Sequence, residues 1–377
     1  MALATVMSAQ SRESVIHEFH DAGAKSPSSG LISDASGNLF GVTRGAVYEL
    51  SPNPGGGFKY QVLAVMPGGI ADFARGNLVR DSVGNLFGIT EAGTDNCGYI
   101  FEVSPHSGSA WSFNIIKEFD CVHDGRAGGF TMAMDSFGNL YGLTSGSFTI
   151  QFDGSLFELS PRSGGTWKYT VLHNFAPNEG HPETGVVMDA HGNLYGCNEF
   201  GVFRAKKNSS GVWSVQQIHH FEINLDGDNP MGDLLLDAAG NIYGTNSGWG
   251  PNFSGTAYKL SPGAGSWTLT VLHAFGDTDD GLNPEGGLIQ DAAGNLYGTT
   301  ANGDQEHRPG TVFKLSLVGG EWQKTTLYTF GGIDASDGAN PQAPLLLKEN
   351  TLYGTTVGGG DSACTFSAGC GTVFRIR

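Results

Sequence analysis

Apolar residues in this chain come in short runs that alternate with period two, each run closed by glycine, proline, asparagine, aspartate or serine. That patterning predicts β-strands joined by turns, and no long stretch carries the 3.6-residue period of an amphipathic helix. One composite pattern recurs: an apolar run, then Asp-x-x-Gly-Asn, then Leu-Tyr-Gly-Thr-Thr or a close variant. Its copies occupy residues 32–43, 79–90, 133–144, 187–198, 235–246 and 287–300, with a degenerate copy at 346–356. Aligned on Leu39, Leu86, Leu140, Leu194, Ile242, Leu296 and Leu352, the repeats are spaced by about 50 residues, the range of propeller blades rather than helical solenoids.

Each repeat predicts four strands. Strand A is the apolar run and strand B the Leu-Tyr-Gly segment. Strand C is a Gly-x-x-Phe/Tyr-x-Leu-Ser-Pro segment, as at 45–52, 98–105, 154–161, 255–262, 310–316 and 371–377, with a shorter form at 201–207. Strand D begins near a tryptophan and ends in phenylalanine, as at 111–119, 167–175, 213–221, 267–275 and 322–330. The Asp and Gly of the A–B turn have structural reasons to recur. The aspartate can accept hydrogen bonds from turn amides, and the glycine can take the left-handed conformation that closes a short hairpin. The seventh copy replaces them with Lys348-Glu349-Asn350-Thr351 and must turn differently.

The two ends of the chain decide closure. Residues 13–19 match strand D with no A, B or C before them, and 371–377 match strand C with no D after them. The N-terminal strand can therefore complete the last blade. The expected fold is all-β, a seven-bladed β-propeller of four-stranded blades closed by the N-terminal strand. A linear β-solenoid would not need this split unit. The expected organisation is one domain over 13–377, with 1–12 outside the fold as a disordered segment or signal-peptide remnant.

Repeats of this form, running through DaaGNLYGTT, GtvFkLsp, vLhaF and dGaNP, resemble the tandem repeats of bacterial choice-of-anchor GloVer-containing proteins. The resemblance covers residues 13–377. It implies a propeller-type repeat fold and an exported, secreted or cell-surface location, and it carries no catalytic residue to transfer.

Composition narrows the partners. Glycine is 59 of 377 residues, as an all-β chain rich in turns requires. Lys+Arg number 20 against Asp+Glu 37, a net charge of −17. With no basic cluster to meet phosphates, nucleic acid and anionic membrane surfaces are disfavoured. The acidity suits colloidal stability, cations or neutral partners such as glycans. No apolar run is long enough to span a bilayer as a helix. A monomer is expected.

Five cysteines bear on the compartment. Cys364 and Cys370 share one loop and suit either a local disulfide or two free thiols. Cys97 and Cys121 fall in neighbouring loops of one face and form a possible second pair. Cys197 stands at a threonine position of the repeat and reads as a small buried side chain. Two bridges would imply an oxidising compartment.

Strand order puts the uniform A–B and C–D turns on one face and the long, variable D–A and B–C loops on the other, over the channel mouth. Variable loops on a rigid scaffold are the expected place for binding. Candidate ligand-binding residues there are His123, Asp124 and Arg126 in one loop, His181 and Glu183 in another, Trp249, and His307 with Arg308. They suit an extracellular carbohydrate or protein ligand, the tryptophan stacking on a sugar face. The alternatives are a hydrolase or lyase acting on a glycan or lactone at the mouth, using a histidine–carboxylate pair, or a purely structural surface protein. No cofactor is expected, although Asp226 with Asp228, or Asp277, Asp279 and Asp280 with Asn283, could offer oxygens to Ca²⁺. The competing expectation is an Asp-Gly turn ahead of strand A. His17, His173, His219 and His273 share one register of strand D, which spreads them around the ring, so they are expected to pack blades rather than bind metal.

Overall fold

The Asp-x-x-Gly-Asn segment makes the same turn in six blades. In the sixth, Asp291 Oδ1 accepts the amides of Ala293 and Asn295 at 2.9 Å, and its Oδ2 accepts the Asn295 side-chain amide at 2.7 Å and the Tyr297 hydroxyl at 3.0 Å. Gly294 sits at φ 85°, where a Cβ would be strained. Those hydrogen bonds hold the Asp291 carboxyl below its ordinary range against the opposing effect of burial, and the same direction holds for Asp189 and Asp237. The seventh turn does differ. Glu349 and Asn350 both take positive φ, and Lys348 pairs directly with Thr351, a two-residue hairpin of the primed type.

The computed structural model describes residues 12–20, 25–91, 97–107, 110–128, 130–146, 153–276, 280–303, 309–332, 335–361, 364 and 369–377. It shows seven antiparallel sheets in A-B-C-D order and, among the described residues, no α-helix. The last sheet is A (Leu346–Lys348), B (Thr351–Thr356), C (Thr372–Ile376) and, as strand D, Glu13–Glu18 from the N-terminus. The ring is thus closed by the N-terminal strand, as the sequence predicts.

Two repeat positions acquire reasons that need the third dimension. The Gly of Leu-Tyr-Gly lies in strand B directly opposite the central aromatic of strand C in every blade, from Gly41↔Tyr48 through Gly354↔Phe374. The tip of the ring reaches the glycine, so a Cβ on Gly298 would stand 2.6 Å from Phe313 Cζ. Gly298→Ala is therefore expected to lower stability by about 1 to 2 kcal/mol through overpacking. An unchanged midpoint in denaturant unfolding would refute the close-approach account. The threonine after the glycine ties blades together: Thr245 donates to the Gly286 carbonyl at 3.2 Å, Thr299 to Ala343 at 3.4 Å and Thr355 to Ser29 at 2.8 Å. The last of these crosses the closure from blade seven to blade one.

The strand A ladders are shorter than the apolar runs suggest, two residues in six blades. The preceding residues leave the ladder to line the ring's centre. Their glycines pack wall to wall: Gly30 on Asn77 and Pro344, Gly76 on Phe130 and Thr131, Gly185 on Thr131 and Asp233, and Gly286 on Ala343. The core is divided among the blade interfaces, each filled by strand B and C side chains of one blade against its neighbour.

Candidate functional site

The D–A loops are pinned by a repeated contact. In five of them a loop acid caps the loop and reaches the strand D register that holds the histidines. Asp226 Oδ2 lies 2.6 Å from His219 Nε2 while Oδ1 accepts the Glu222 amide, and Asp280 meets His273 and Lys324, each at 2.9 Å. Glu179 with His173, Asp124 with Lys117 at 2.6 Å and Asp337 with Tyr328 at 2.6 Å repeat the arrangement. Each histidine also lies edge-on to the phenylalanine two residues later. This accounts for the histidine register as blade packing. It also gives Asp226 and Asp280 a structural use as loop staples, while Asp277 and Asp279 lie outside the described residues.

Past its staple each loop runs back along strand B. Arg126 and Ala127 pair with Ser145 and Thr144, and Pro182 with Asn198. The chain then turns inward, and the residue three before the buried Leu or Val that precedes strand A is carried to the channel mouth in blades one, two, five, six and seven and, in blade four, to the neighbourhood of Arg75. That register holds Ser28, Arg75, Glu183, Met231, Glu285 and Gln342 in blades one, two, four, five, six and seven. The opening is lined by Arg75, Glu285, Asp233, Phe73 and Phe130, among others.

Arg75 organises the charges there. Its Nε lies 3.0 Å from Glu91 Oε1. Its guanidinium and that of Arg44 lie over the Phe73 ring, at 5.3 and 4.4 Å from the centroid. Burial raises the carboxyls of Glu91, Glu183 and Glu285, and the charge of Arg75 draws each partly back. Asp233, which accepts from the Thr131 hydroxyl, is also raised by its recessed position although part of its surface still meets the channel. Next to Glu183, His181 Nε2 lies 2.6 Å from Glu183 Oε1 and Nδ1 lies 3.3 Å from Glu199 Oε2. A histidine held between two carboxylates beside a concave opening can bind a polar ligand or move a proton.

The sequence-derived candidates separate into groups. His181 and Glu183 do come together, and Arg126 stands close enough for its charge to act on Glu91. His123 is exposed and paired with Asp120, each raising or lowering the other's pKa as an ion pair should. Asp124 is occupied as a loop staple. Trp249 is half exposed in a B–C loop and does not line the mouth. His307 and Arg308 lie outside the described residues. Sequence reasoning missed Arg75, Glu91, Asp233, Glu285, Phe73 and Phe130. The available signal was the variation from Ser28 to Gln342 at one fixed register of an otherwise regular repeat.

Disulfides join Cys97 to Cys121, tying a B–C loop to the next D–A loop, and Cys364 to Cys370, with Cα separations of 5.2 and 5.7 Å. Cys197 is free and buried. No helix among the described residues is long and apolar enough to cross a membrane.

Among solved structures the chain is similar to a streptogramin B lyase (12% identity, TM-score 0.59, 97% of each chain covered). It is similar also to virginiamycin B lyase from Staphylococcus aureus (10%, 0.57, 97% of this chain and 98% of that one). A third is the extracellular domain of a putative hybrid two-component system from B. thetaiotaomicron (13%, 0.60, 97% of this chain and 42% of that one). At such identities the likeness shows the fold alone. No curated protein sequence matches the chain. Residues 202–377 match the family described as the Gloeobacter/Verrucomicrobia repeat. The same pattern runs through all seven blades, so the chain is a seven-bladed propeller whose repeats are similar to the Gloeobacter/Verrucomicrobia repeat.

Proposed function

We propose that this is an exported recognition propeller that binds an extracellular carbohydrate at the channel mouth, acting as a monomer and without nucleic acid or membrane insertion. The observation that carries the reading is the convergence of Arg75, Glu285 and Asp233 with Phe73 and Phe130 around one opening, with Glu183 close enough to feel the charge of Arg75. Carboxylates and a guanidinium supply paired acceptors and donors to hydroxyls, and the rings supply apolar faces, the usual mixture of a small-ligand site. Two disulfides support an oxidising, exported setting. On a glycan array the protein is expected to select a restricted set of sugars, and Arg75→Ala to weaken that binding by roughly tenfold or more, the loss of a charged hydrogen bond. An array blank at high protein concentration would exclude the carbohydrate reading.

One observation favours a second reading, a lyase or hydrolase: the 2.6 Å contact of His181 with Glu183 beside the mouth. A similar fold includes a catalytically inactive histidine variant of virginiamycin B lyase bound to quinupristin. If this chain performs related chemistry, it consumes quinupristin or a simpler lactone and His181→Ala abolishes turnover. Substrate unchanged after prolonged incubation would count against that reading.

A further inference from the structure

The loop face carries a second feature, away from the channel pocket. In the B–C loop of blade five Trp249 and Phe253 both adopt the left-handed backbone conformation, at φ 53° and 63°. Such backbone is uncommon for bulky side chains and costs stability where it persists. Both rings stand outward, 49% and 69% exposed, with centroids 6.1 Å apart and planes inclined at 67°. The loop is not loose. Phe253 donates its amide to Gly250, Gly255 donates to Trp249, and Trp249 bridges Ser254. Gly250 donates to the carbonyl of Ile223 at 2.9 Å, stitching on the neighbouring D–A loop, where Ile223 and Leu225 are 42% and 60% exposed. Two aromatic and two aliphatic side chains thus stand out from adjoining, internally braced loops.

We infer that this Trp249–Phe253–Ile223–Leu225 patch is a docking surface for a protein partner that presents an apolar segment flanked by basic residues. Surface aromatics backed by aliphatics have the composition of an interface hot spot. The surroundings argue against a sugar platform, because the nearest side-chain amides that would grip hydroxyls each donate to the protein itself. Asn252 donates to the Ala274 carbonyl, Asn229 to Ser247 Oγ and Asn283 to the Ser247 carbonyl. Glu222 and Asp228 stand beside the patch, on a chain of net charge −17, which favours a basic rim on the partner and opposes docking of a second copy.

The test uses the intact protein, immobilised, as bait for a random dodecapeptide library displayed on phage. Enrichment of apolar or aromatic sequences with Lys or Arg flanks is expected, with affinity for the Trp249→Gly/Phe253→Gly protein at least tenfold weaker. Glycine suits both backbone conformations, so the melting temperature of that variant is expected to be unchanged or raised. A falling melting temperature would mean that the rings serve the fold and would overturn the proposal. So would a library that yields nothing above the uncoated support, or peptides that bind the glycine variant equally well. Trp249-dependent binding to a glycan array without peptide enrichment would transfer the patch to sugar recognition and equally overturn it. The substitutions leave Arg75 and His181 in place, so ligand binding at the channel is expected to survive them.

Discussion

Phe19→Ala is expected to cost about 3–5 kcal/mol, the usual range for truncating a buried phenylalanine. Phe19 is 1% exposed and packs on His17, Tyr48 and Tyr60, with ring centroids 4.7 to 5.8 Å apart. It ends the only strand that reaches blade seven from the other end of the chain. The comparison is Phe275→Ala, the same register in blade five, where the strands on both sides are joined covalently to the blade. Both variants lose a similar ring from the core. Only Phe19→Ala removes it from a strand held to its own blade entirely by noncovalent contacts. Limited proteolysis should therefore cut the N-terminal strand of Phe19→Ala well before global unfolding, and leave it protected in Phe275→Ala. Equal protection in the two would rule out a special dependence of the closing strand on Phe19.

The same strand supplies the second prediction, a stability that falls as the pH rises from about 4.5 to about 7. Glu13 lies on the closing strand with one carboxylate oxygen buried and unpartnered. Burial first, and the charge of Asp337 second, raise its pKa to about 7. Asp337 faces it from the preceding D–A loop, its Oδ1 also buried without a partner and its Oδ2 taken by the Tyr328 hydroxyl and the Gly331 amide. Lys324 holds the matching register one blade earlier and reaches Asp280. Where that blade has an ion pair, the closure has two acids. The folded protein keeps the proton on Glu13 up to about pH 7, whereas the unfolded chain releases it near 4.5. Folding thus retains a proton in this window, and the stability present below it is lost as pH rises through it. The full linkage would be about 3 kcal/mol, and solvent screening at a half-exposed strand reduces it to about 2. Glu13→Gln should match the parent near pH 4 and exceed it near pH 8. Parallel stability curves across that range would refute the assignment. The turn aspartates act in the opposite window: their lowered pKa values make stability fall only as pH drops below the ordinary carboxylate range.

Much of the fold was legible because its determinants are local and repeated. Asp291 and Gly294 make a turn from their own neighbours, and six copies of that pair mark six hairpins without reference to anything distant. The split unit at residues 13–19 and 371–377 gave closure as well. The strand D histidines could be read as packing residues from register alone, though their partners could not, since Asp226 and Asp280 had also looked like oxygen donors for a cation. The site was legible only in part. His181 and Glu183 are two residues apart, and their contact needs one loop. Arg75, Glu91, Glu183 and Glu285 come from four different loops, and nothing in their separate sequences announces that the charge of Arg75 reaches the other three.

By itself, then, the sequence determined the repeat, the turn chemistry, the blade number, the ring closure and the face that carries variation, because each follows from period-two patterning and local backbone preference. Tertiary structure decided which variable residues meet. It drew the segments ahead of strand A into a ring around the channel, used the D–A acids as staples, and held Trp249 and Phe253 outward on strained backbone. The physical reason is that charge interactions, burial and close packing depend on distance in space, and the closed ring brings together residues that lie far apart along the chain.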